Sequence, residues 1–221
     1  MSRCIVTLGC GGWYPKGVDR LERSLIYHGW AEAMHMHRDY PPGCPTHQDV
    51  PYGFKLHCIQ AARDAGHDQV LWLDTSAWAI QNPLPLFDII EKQGHYFWTS
   101  GYWSGEWCND RSLEYFGVTR DEAMNIRMLY ALCLGFDFRH DRTKAFFDLW
   151  QKSLADGMFN GSWKREDGDR EDLRYSGHRH DQSCASLIAH QLGMGIDETH
   201  YLCHLYEPNM PETVMLTFQG I

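Results

Sequence analysis

Short apolar runs and helix-like segments alternate along this chain. Residues 4–8 (CIVTL) predict a first strand, and the spacing after the glycine-rich turn 9–12 predicts an amphipathic helix. The apolar residues expected on one face of that helix are Val18, Leu21, Leu25 and Ile26. A second run, residues 70–76 (VLWLDTS), has the length of a buried parallel strand and runs into a carboxylate at Asp74. This order is typical of an α/β core.

The later segments continue the alternation. Helices are predicted over residues 52–65, ended by Gly66, and over 84–93, ended by Gly94, with strands at 95–98 and 130–138. Two more helices are predicted from apolar residues at helical spacing. The first has Ala145, Phe146, Leu149, Trp150 and Leu154 on its inward face. The second begins near Asp181 and has Cys184, Leu187, Ile188 and Leu192 on its inward face.

Three segments lack the pattern of regular structure. Residues 40–45 hold three prolines, which remove backbone donors and fix φ, so a loop is expected. Residues 99–108 (TSGYWSGEWC) combine two glycines with three large aromatics, which favours a loop with an aromatic surface. Residues 164–174 are charged and rich in Asp, and we expect a mobile loop of the kind that closes over substrates.

Length and charge narrow the class of protein. The 221 residues suffice for one α/β core and are few for two, so a single domain is expected. With 20 Lys and Arg against 29 Asp and Glu, the chain has no general attraction to nucleic acid or an anionic membrane. Its eight cysteines form no C-x-x-C pair and are expected to be reduced thiols of a cytoplasmic protein. No signal peptide or membrane span is predicted.

Two segments carry the candidate chemistry. Asp74 stands at the carboxyl end of its strand, where ligands bind in open α/β sheets. Residues 177–182 (GHRHDQ) place two imidazoles, a guanidinium, a carboxylate and an amide at a helix start. A hard divalent cation needs oxygen ligands, and Asp74 with Ser76 supplies only one strong ligand. Another would come from residues 178–181, with His200 and His204 as weaker candidates.

These residues also have ordinary structural explanations. Asp74 is equally well explained as a solvated carboxylate or a helix cap, and Asp181 is placed to be an N-cap. We expect Asp181 both to cap its helix and to serve the site. Because the chain has 13 histidines, most of them are expected to have no role in the site.

Several enzyme classes lack their usual motifs. The dinucleotide fingerprint fails because Tyr14 stands where its third glycine belongs, although backbone amides of the turn 9–12 remain able to meet a phosphate or a base. The chain also has no G-x-S-x-G, P-loop or H-E-x-x-H motif, which disfavours hydrolases, kinases and zinc proteases.

Three segments together resemble nucleotide-sugar-dependent glycosyltransferases of the GT-A fold. The first strand, Tyr14 and the L-x-x-S-L helix at 21–25 resemble their nucleotide-binding segment. VLWLDTS resembles the strand that bears their D-x-D metal motif, with Ser76 in place of the second aspartate, and GHRHDQS resembles the D-Q-x motif of glycogenin-like and capsule-type transferases. The resemblance covers about residues 3–194. With R-D-E-A at 120–123, the chain is also similar to small phage or metagenomic transferases.

The resemblance implies a fold and an activity. The expected fold is a single-domain three-layer α/β/α sandwich of GT-A type with a mostly parallel central sheet. Its donor-binding part would be about residues 1–98 and its acceptor-side part about 99–205. The implied activity is transfer of a sugar from a nucleotide-diphosphate sugar, such as a UDP-sugar, to an acceptor hydroxyl, assisted by Mn²⁺ or Mg²⁺.

The resemblance also implies roles for individual residues. Asp181 is the expected general base if transfer inverts configuration, and Gln182 the expected front-face stabiliser if it retains. The ion would be held by Asp74, Ser76 and His180. The donor would contact Leu8, Gly9, Tyr14, Lys55, Asp74, Thr75 and Ser76, with Lys55 as a phosphate partner. The acceptor would contact Tyr102, Trp103, Glu106 and Trp107, because sugars stack on aromatic faces.

The acceptor and two alternative functions stay open. A saccharide is the ordinary acceptor, and a hydroxymethylated base in phage DNA is the second possibility. The first alternative function is a non-catalytic protein that binds a nucleotide sugar or glycan. The second, less favoured, is an NAD-linked oxidoreductase.

Overall fold

The computed structural model describes residues 1–165, 172–209, 212 and 214–219. In this part of the chain the elements are, in order, β1 (Arg3–Leu8), α1 (Tyr14–Tyr27), β2 (Ala33–His37), α2 (Gly53–Asp64), β3 (Gln69–Leu73), β4 (Ala77–Ala79), α3 (Leu84–Gln93), β5 (His95–Trp103), α4 (Ser104–Trp107), α5 (Asp110–Phe116), α6 (Arg120–Ala123), β6 (Arg127–Asp137), α7 (Asp141–Ala155), α8 (His180–Gln191), β7 (Cys203–Leu205) and β8 (Leu216–Phe218).

A five-stranded sheet forms the centre, in the order β2-β1-β3-β6-β5. β1 pairs in parallel with β2 and β3, while β6 is antiparallel to both β3 and β5. Four of these five strands therefore point the same way, as predicted, and β6 is reversed. A second sheet has the order β4-β8-β7.

Helices cover both faces of the central sheet. Val70 and Trp72 of β3 belong to a core cluster with residues of α2, α7 and α8. Leu71 and Leu73 point to the other face, into a cluster with α1, α3 and the small sheet. This strict alternation, with both sets buried, explains why β3 is one continuous apolar run. The predicted three-layer α/β/α arrangement is confirmed.

Some predicted inward residues lie outside the core. Val18, Leu21 and Leu25 are buried, but Ile26 is 57% exposed because it falls beyond the edge of the buried face of α1. Leu149 is likewise exposed on α7, and Leu154 and Leu192 are only half-buried. Periodicity identified the buried face of each helix correctly but overestimated its width.

The predicted loop at 99–108 is wrong. β5 continues to Trp103, and α4 follows directly. The pairing of β5 with β6 shifts register after Phe97 and again after Thr99, so the strand does not show a clean alternation in sequence. Of the predicted mobile segment 164–174, residues 166–171 lie outside the described part of the chain.

Two further expectations concern the cysteines and the membrane. All eight cysteines are free thiols, and six of them are buried, as predicted for packed residues. In the described ranges, no helix combines the length and the apolar character that crossing a bilayer requires.

Two glycines bring α1 against the loop that follows β3. A Cβ atom added at Gly17 would lie 2.5 Å from the backbone oxygen of Thr75, and one added at Gly9 would lie 2.6 Å from Thr75 Cγ2. Only glycine permits this approach, because a backbone oxygen cannot rotate away as the end of a side chain can. The position of Asp74 and Thr75 is thus set partly by α1.

We expect Gly17→Ala to lower the free energy of unfolding by about 1–3 kcal/mol, because its methyl group must displace backbone. The matched control is Gly195→Ala, where the added Cβ meets nothing within 4 Å. Urea denaturation followed by tryptophan fluorescence compares the two. Equal stabilities would contradict the tight packing of α1 on Thr75.

Candidate active site

A cavity of about 540 Å³ lies at the carboxyl ends of β1 and β3. Six of the seven residues predicted to contact a donor line it, namely Leu8, Gly9, Tyr14, Asp74, Thr75 and Ser76. The sequence prediction missed its aromatic walls, which are Tyr40, Tyr52, Phe54, Tyr130 and Phe218. These rings come from four separate segments, so no local motif could have indicated them. The cavity draws on both the donor-side and the acceptor-side segments of the chain.

Lys55 joins two carboxylates beside this cavity. Its ammonium nitrogen lies 3.1 Å from Asp74 Oδ1 and 3.1 Å from Asp181 Oδ2. It also donates to the carbonyl oxygen of Ala131 at 2.8 Å. Lys55 thus makes two ion pairs and one hydrogen bond in a fully buried position. In this arrangement Lys55 is an internal counter-ion of the two carboxylates, and its role as a phosphate partner stays a prediction.

Burial gives this ion cluster unusual pKa values. Burial lowers the pKa of Lys55, but Asp181 and Asp74 more than offset it, so the net pKa lies above its ordinary value. Burial, opposed by Lys55 and supported by Asp74, raises the pKa of Asp181 to about 6. The cluster with both acids ionised carries one net negative charge, and it loses that charge when Asp181 is protonated.

Asp181 lies in the first turn of α8 and is not the N-cap that the sequence suggests. The N-cap is Arg179, whose backbone N–H donates to Ser183 Oγ at 2.9 Å. Asp181 is instead directed at Lys55, and its own backbone carbonyl accepts from Trp150 Nε1 at 3.1 Å. Asp181 is only 2% exposed, and Lys55 links it to Asp74, which lines the cavity.

The side chains of Gln182 and Lys55 both bond to the backbone of Ala131 in β6. Gln182 Oε1 accepts from the backbone N–H of Ala131 at 3.4 Å, while the carbonyl of Ala131 accepts from Lys55. Ala131 lies between Tyr130 and Leu132, which both line the cavity. The amide of Gln182 is therefore held next to the cavity wall, half-buried.

Solved structures share this architecture. The galactosyltransferase LgtC in complex with donor and acceptor sugar analogues matches with a TM-score of 0.53 at 12% identity, over 98% of this chain and 86% of LgtC. Mouse xyloside xylosyltransferase 1 matches with a TM-score of 0.55 at 8% identity, over 99% and 97%. The bifunctional glycosyltransferase WbbM matches with a TM-score of 0.55 at 9% identity, over 92% of this chain and 40% of WbbM. No protein-family model and no curated protein matches.

The chain has the GT-A glycosyltransferase fold. At these identities the likeness concerns the fold alone. The alternation of strands and helices, the chain order of the motifs and the resemblance thus led to the correct architecture.

The GT-A fold implies a divalent ion at the carboxyl end of β3, but the residues here do not fit a resident ion. Asp74 Oδ1 is paired with Lys55 and accepts from Trp72 Nε1 at 2.7 Å. Among the described residues, no three Asp, Glu, His or Cys groups that include Asp74 bring their ligand atoms within 4.8 Å of one another. An ammonium at this distance also repels a second cation.

The other predicted ligands do not complete such a site. His180 Nδ1 bonds to the carbonyl of Phe159 at 2.8 Å, and its ring stacks on Trp163. Ser76 Oγ is buried without a hydrogen-bond partner in the described chain, but a hydroxyl is a weak ligand on its own. Asp74, Ser76 and His180 are therefore not a preformed ligand set. His178 and His200 bond to Met158 and Trp98 respectively.

Two arginines near the cavity were missed as site residues. The guanidinium of Arg179 lies 3.8 Å from the ring centres of both Trp107 and Trp163 and donates no hydrogen bond to a described residue. Burial lowers its pKa, whereas Tyr102, Tyr130 and Tyr52 act in the opposite direction. Arg20 donates to the carbonyl of Ser76 at 2.8 Å and fixes the loop after β3. Arg179 was visible in the GHRHDQ motif but was overlooked beside its histidines.

The four residues predicted to meet an acceptor lie together where β5 passes into α4. Tyr102 is 46% exposed, and its ring centre lies 5.5 Å from that of Trp107. Trp103 is covered by Arg127, and its backbone N–H donates to Glu106 at 3.0 Å. The surface therefore offers the exposed ring of Tyr102, while the half-buried Trp103 and Trp107 each have an arginine over the ring.

We expect Lys55→Met to lower the free energy of unfolding by about 3–5 kcal/mol at pH 8, because it leaves two carboxylates facing each other without a counter-ion. The loss should shrink below pH 6, where Asp181 takes up a proton. Lys144→Met is the control, because Lys144 pairs with an exposed Asp141 and such pairs contribute less than about 1 kcal/mol. Urea denaturation at both pH values tests this, and similar losses for both variants would contradict the bridging role.

Proposed function

We propose that the protein is a glycosyltransferase that moves a sugar from a nucleotide-diphosphate sugar to an acceptor hydroxyl. The observation that carries the proposal is Asp74, which lines the cavity of a GT-A fold and pairs with Lys55, while Gln182 bonds to the adjacent strand β6. In the transfer, the bond between the anomeric carbon and a phosphate oxygen breaks. A bond to the acceptor oxygen forms, and the proton of the acceptor hydroxyl passes to the phosphate oxygen of the leaving nucleoside diphosphate.

The cavity suits a nucleotide-diphosphate sugar. Its volume of about 540 Å³ falls in the range of small-molecule sites. Tyr14 and Tyr40 offer flat faces to a nucleobase near the end of β1, and Asp74 offers a carboxylate to sugar hydroxyls. LgtC, which shares the fold, was solved with donor and acceptor sugar analogues, which supports a donor site of this kind.

Arg179 is the cation that we assign to the leaving diphosphate. Its planar fork matches phosphate oxygens bidentately, and two tryptophan faces hold it in place without using its donors. Lys55, by contrast, is only 2% exposed and is already paired with two carboxylates. Because the residues at Asp74 do not fit a resident ion, we propose that donor binding does not require Mn²⁺ or Mg²⁺.

Gln182 is the catalytic residue that we favour. Its amide bonds to Ala131, whose neighbours Tyr130 and Leu132 line the cavity, and from there we propose that it stabilises positive charge developing at the anomeric carbon. A glutamine-to-glutamate mutant of LgtC is described as an active-site mutant, which supports a catalytic glutamine in this fold. This assignment favours retention of configuration.

Asp181 acts as a positioning residue in this proposal. Its carboxylate is buried against Lys55, so it holds the ammonium that in turn orients Asp74. A general base must lie within hydrogen-bond reach of the acceptor hydroxyl, whereas the carboxylate of Asp181 is buried and faces Lys55. Asp181 therefore influences the reaction through charge and geometry.

A saccharide is the acceptor that we propose. Tyr102 and Trp107 present aromatic faces beside Arg179, and sugar rings stack on such faces. The formal net charge of −9 makes a DNA base the less favoured acceptor.

The first experiment measures donor binding and transfer together. UDP-, GDP-, ADP- and CMP-sugars are tested by isothermal calorimetry with Mn²⁺ and with EDTA, followed by mass spectrometry of added saccharides or hydroxymethylated DNA. We expect one nucleotide class to bind equally in both buffers and one acceptor to gain a hexose or pentose. Arg179→Ala should weaken donor binding by about 2 kcal/mol, or about 30-fold, whereas Arg142→Ala, an exposed arginine on α7, should not.

Three outcomes would change the proposal. Donor binding without transfer to any acceptor would favour a non-catalytic binding protein. Donor binding that occurs only with Mn²⁺ would indicate that Asp74 holds a metal ion when the donor is bound. Binding of NAD instead of all nucleotide sugars would overturn the glycosyltransferase.

We expect kcat/KM for transfer to rise as the pH increases through about 6. The folded pKa of Asp181 is raised to about 6, so the ionised form that holds Lys55 accumulates above that pH. Asp181→Asn should have low activity without this pH step, while Asp156→Asn, an exposed carboxylate beside α7, should keep the step. A pH profile that is unchanged in Asp181→Asn would contradict the positioning role.

A further inference from the structure

A thiol and two imidazoles converge at a second place in the molecule. One ligand atom each from Cys4, His35 and His67 lies within 4.8 Å of the other two. Cys4 is fully buried, and both histidines are half-buried. Nothing in the proposed sugar transfer uses these residues.

The sheet register explains why the three meet. β1 and β2 pair in parallel with Val6 opposite His35, and Cys4 shares the face of Val6 because side chains alternate along a strand. His67 follows α2, and its backbone N–H donates to the carbonyl of Ala62 in the turn that ends the helix. That turn returns the chain to the start of β3, beside β1.

One imidazole has a buried polar atom without a partner. Nδ1 of His67 is buried and has no hydrogen-bond partner in the described chain. The ring of His35 meets His67 edge to face, with ring centres 5.2 Å apart. Buried polar atoms are normally satisfied, so a partner is expected here.

The chemistry of the set indicates the ligand. Thiolate and imidazole are the donors that zinc prefers, and three protein ligands with one water form a common tetrahedral site. Ligand atoms around zinc lie about 3.5 Å apart, given bonds of about 2.0–2.3 Å. Small side-chain rotations bring atoms now within 4.8 Å to that spacing.

We propose that Cys4, His35 and His67 bind a zinc ion. On binding, the Cys4 S–H bond breaks, the sulfur forms a bond to zinc, and the proton leaves to solvent. Each imidazole donates a nitrogen lone pair, and a water completes the tetrahedron. The ion links β1, the edge strand β2 and the turn after α2, so it stabilises that edge of the sheet, away from the sugar cavity at the other end of β1.

Cobalt provides the direct test, because Co²⁺ bound to a thiolate gives an intense charge-transfer absorption. We expect this absorption at one equivalent of Co²⁺ added to the full chain, its loss on adding Zn²⁺, and no effect of Mg²⁺. Cys4→Ser should abolish it, whereas Cys108→Ser, at another fully buried cysteine, should keep it.

His67→Gln covers the case in which Cys4→Ser fails to fold, because His67 lies in a turn and is half-buried. This variant should lose the absorption and the rise in Tm that Zn²⁺ gives the parent protein, while His190→Gln, at an exposed position, should lose neither. No absorption in the parent, or an absorption that survives His67→Gln, would overturn the proposal. Asp74→Asn should bind zinc normally, which separates this site from the proposed glycosyltransferase site.

Discussion

The buried ammonium of Lys55 is the interaction on which the rest of the site depends. It links α2 to the end of β3, to the middle of β6 and to the start of α8 through Asp74, Ala131 and Asp181. Taking three charges out of water is costly, and only their mutual attraction and the carbonyl of Ala131 offset that cost. Four elements from distant parts of the chain are thereby fixed in one relative position.

This internal counter-ion changes what the cavity attracts. Asp74 is already paired with Lys55 and accepts a hydrogen bond from Trp72, so it attracts a second cation only weakly. In the part of the chain that the structure describes, two tryptophan faces hold Arg179, and its guanidinium donates no hydrogen bond there. A nucleotide-diphosphate sugar would therefore meet its cation on the α8 side of the cavity.

Close packing on the opposite side sets the shape of the cavity. Gly9 and Gly17 let α1 contact Thr75, and Arg20 holds the carbonyls of Thr75 and Ser76. The wall is then completed by Leu205, Phe218 and Gln219 from the C-terminal sheet. That sheet pairs β4, directly after the Asp74 loop, with β8 at the far end of the chain.

The sequence by itself determined the layered α/β fold, the buried strand that ends at Asp74 and the helix start that carries Gln182. These features are local, because periodicity and strand length report on burial within one element. The tertiary structure alone decided that Lys55 serves as a counter-ion, that Asp181 is buried behind it and that Cys4 meets His35 and His67. No spacing along the chain encodes those contacts. They arise because strand register and helix packing bring together residues that are distant in sequence, by more than a hundred positions for Lys55 and Asp181.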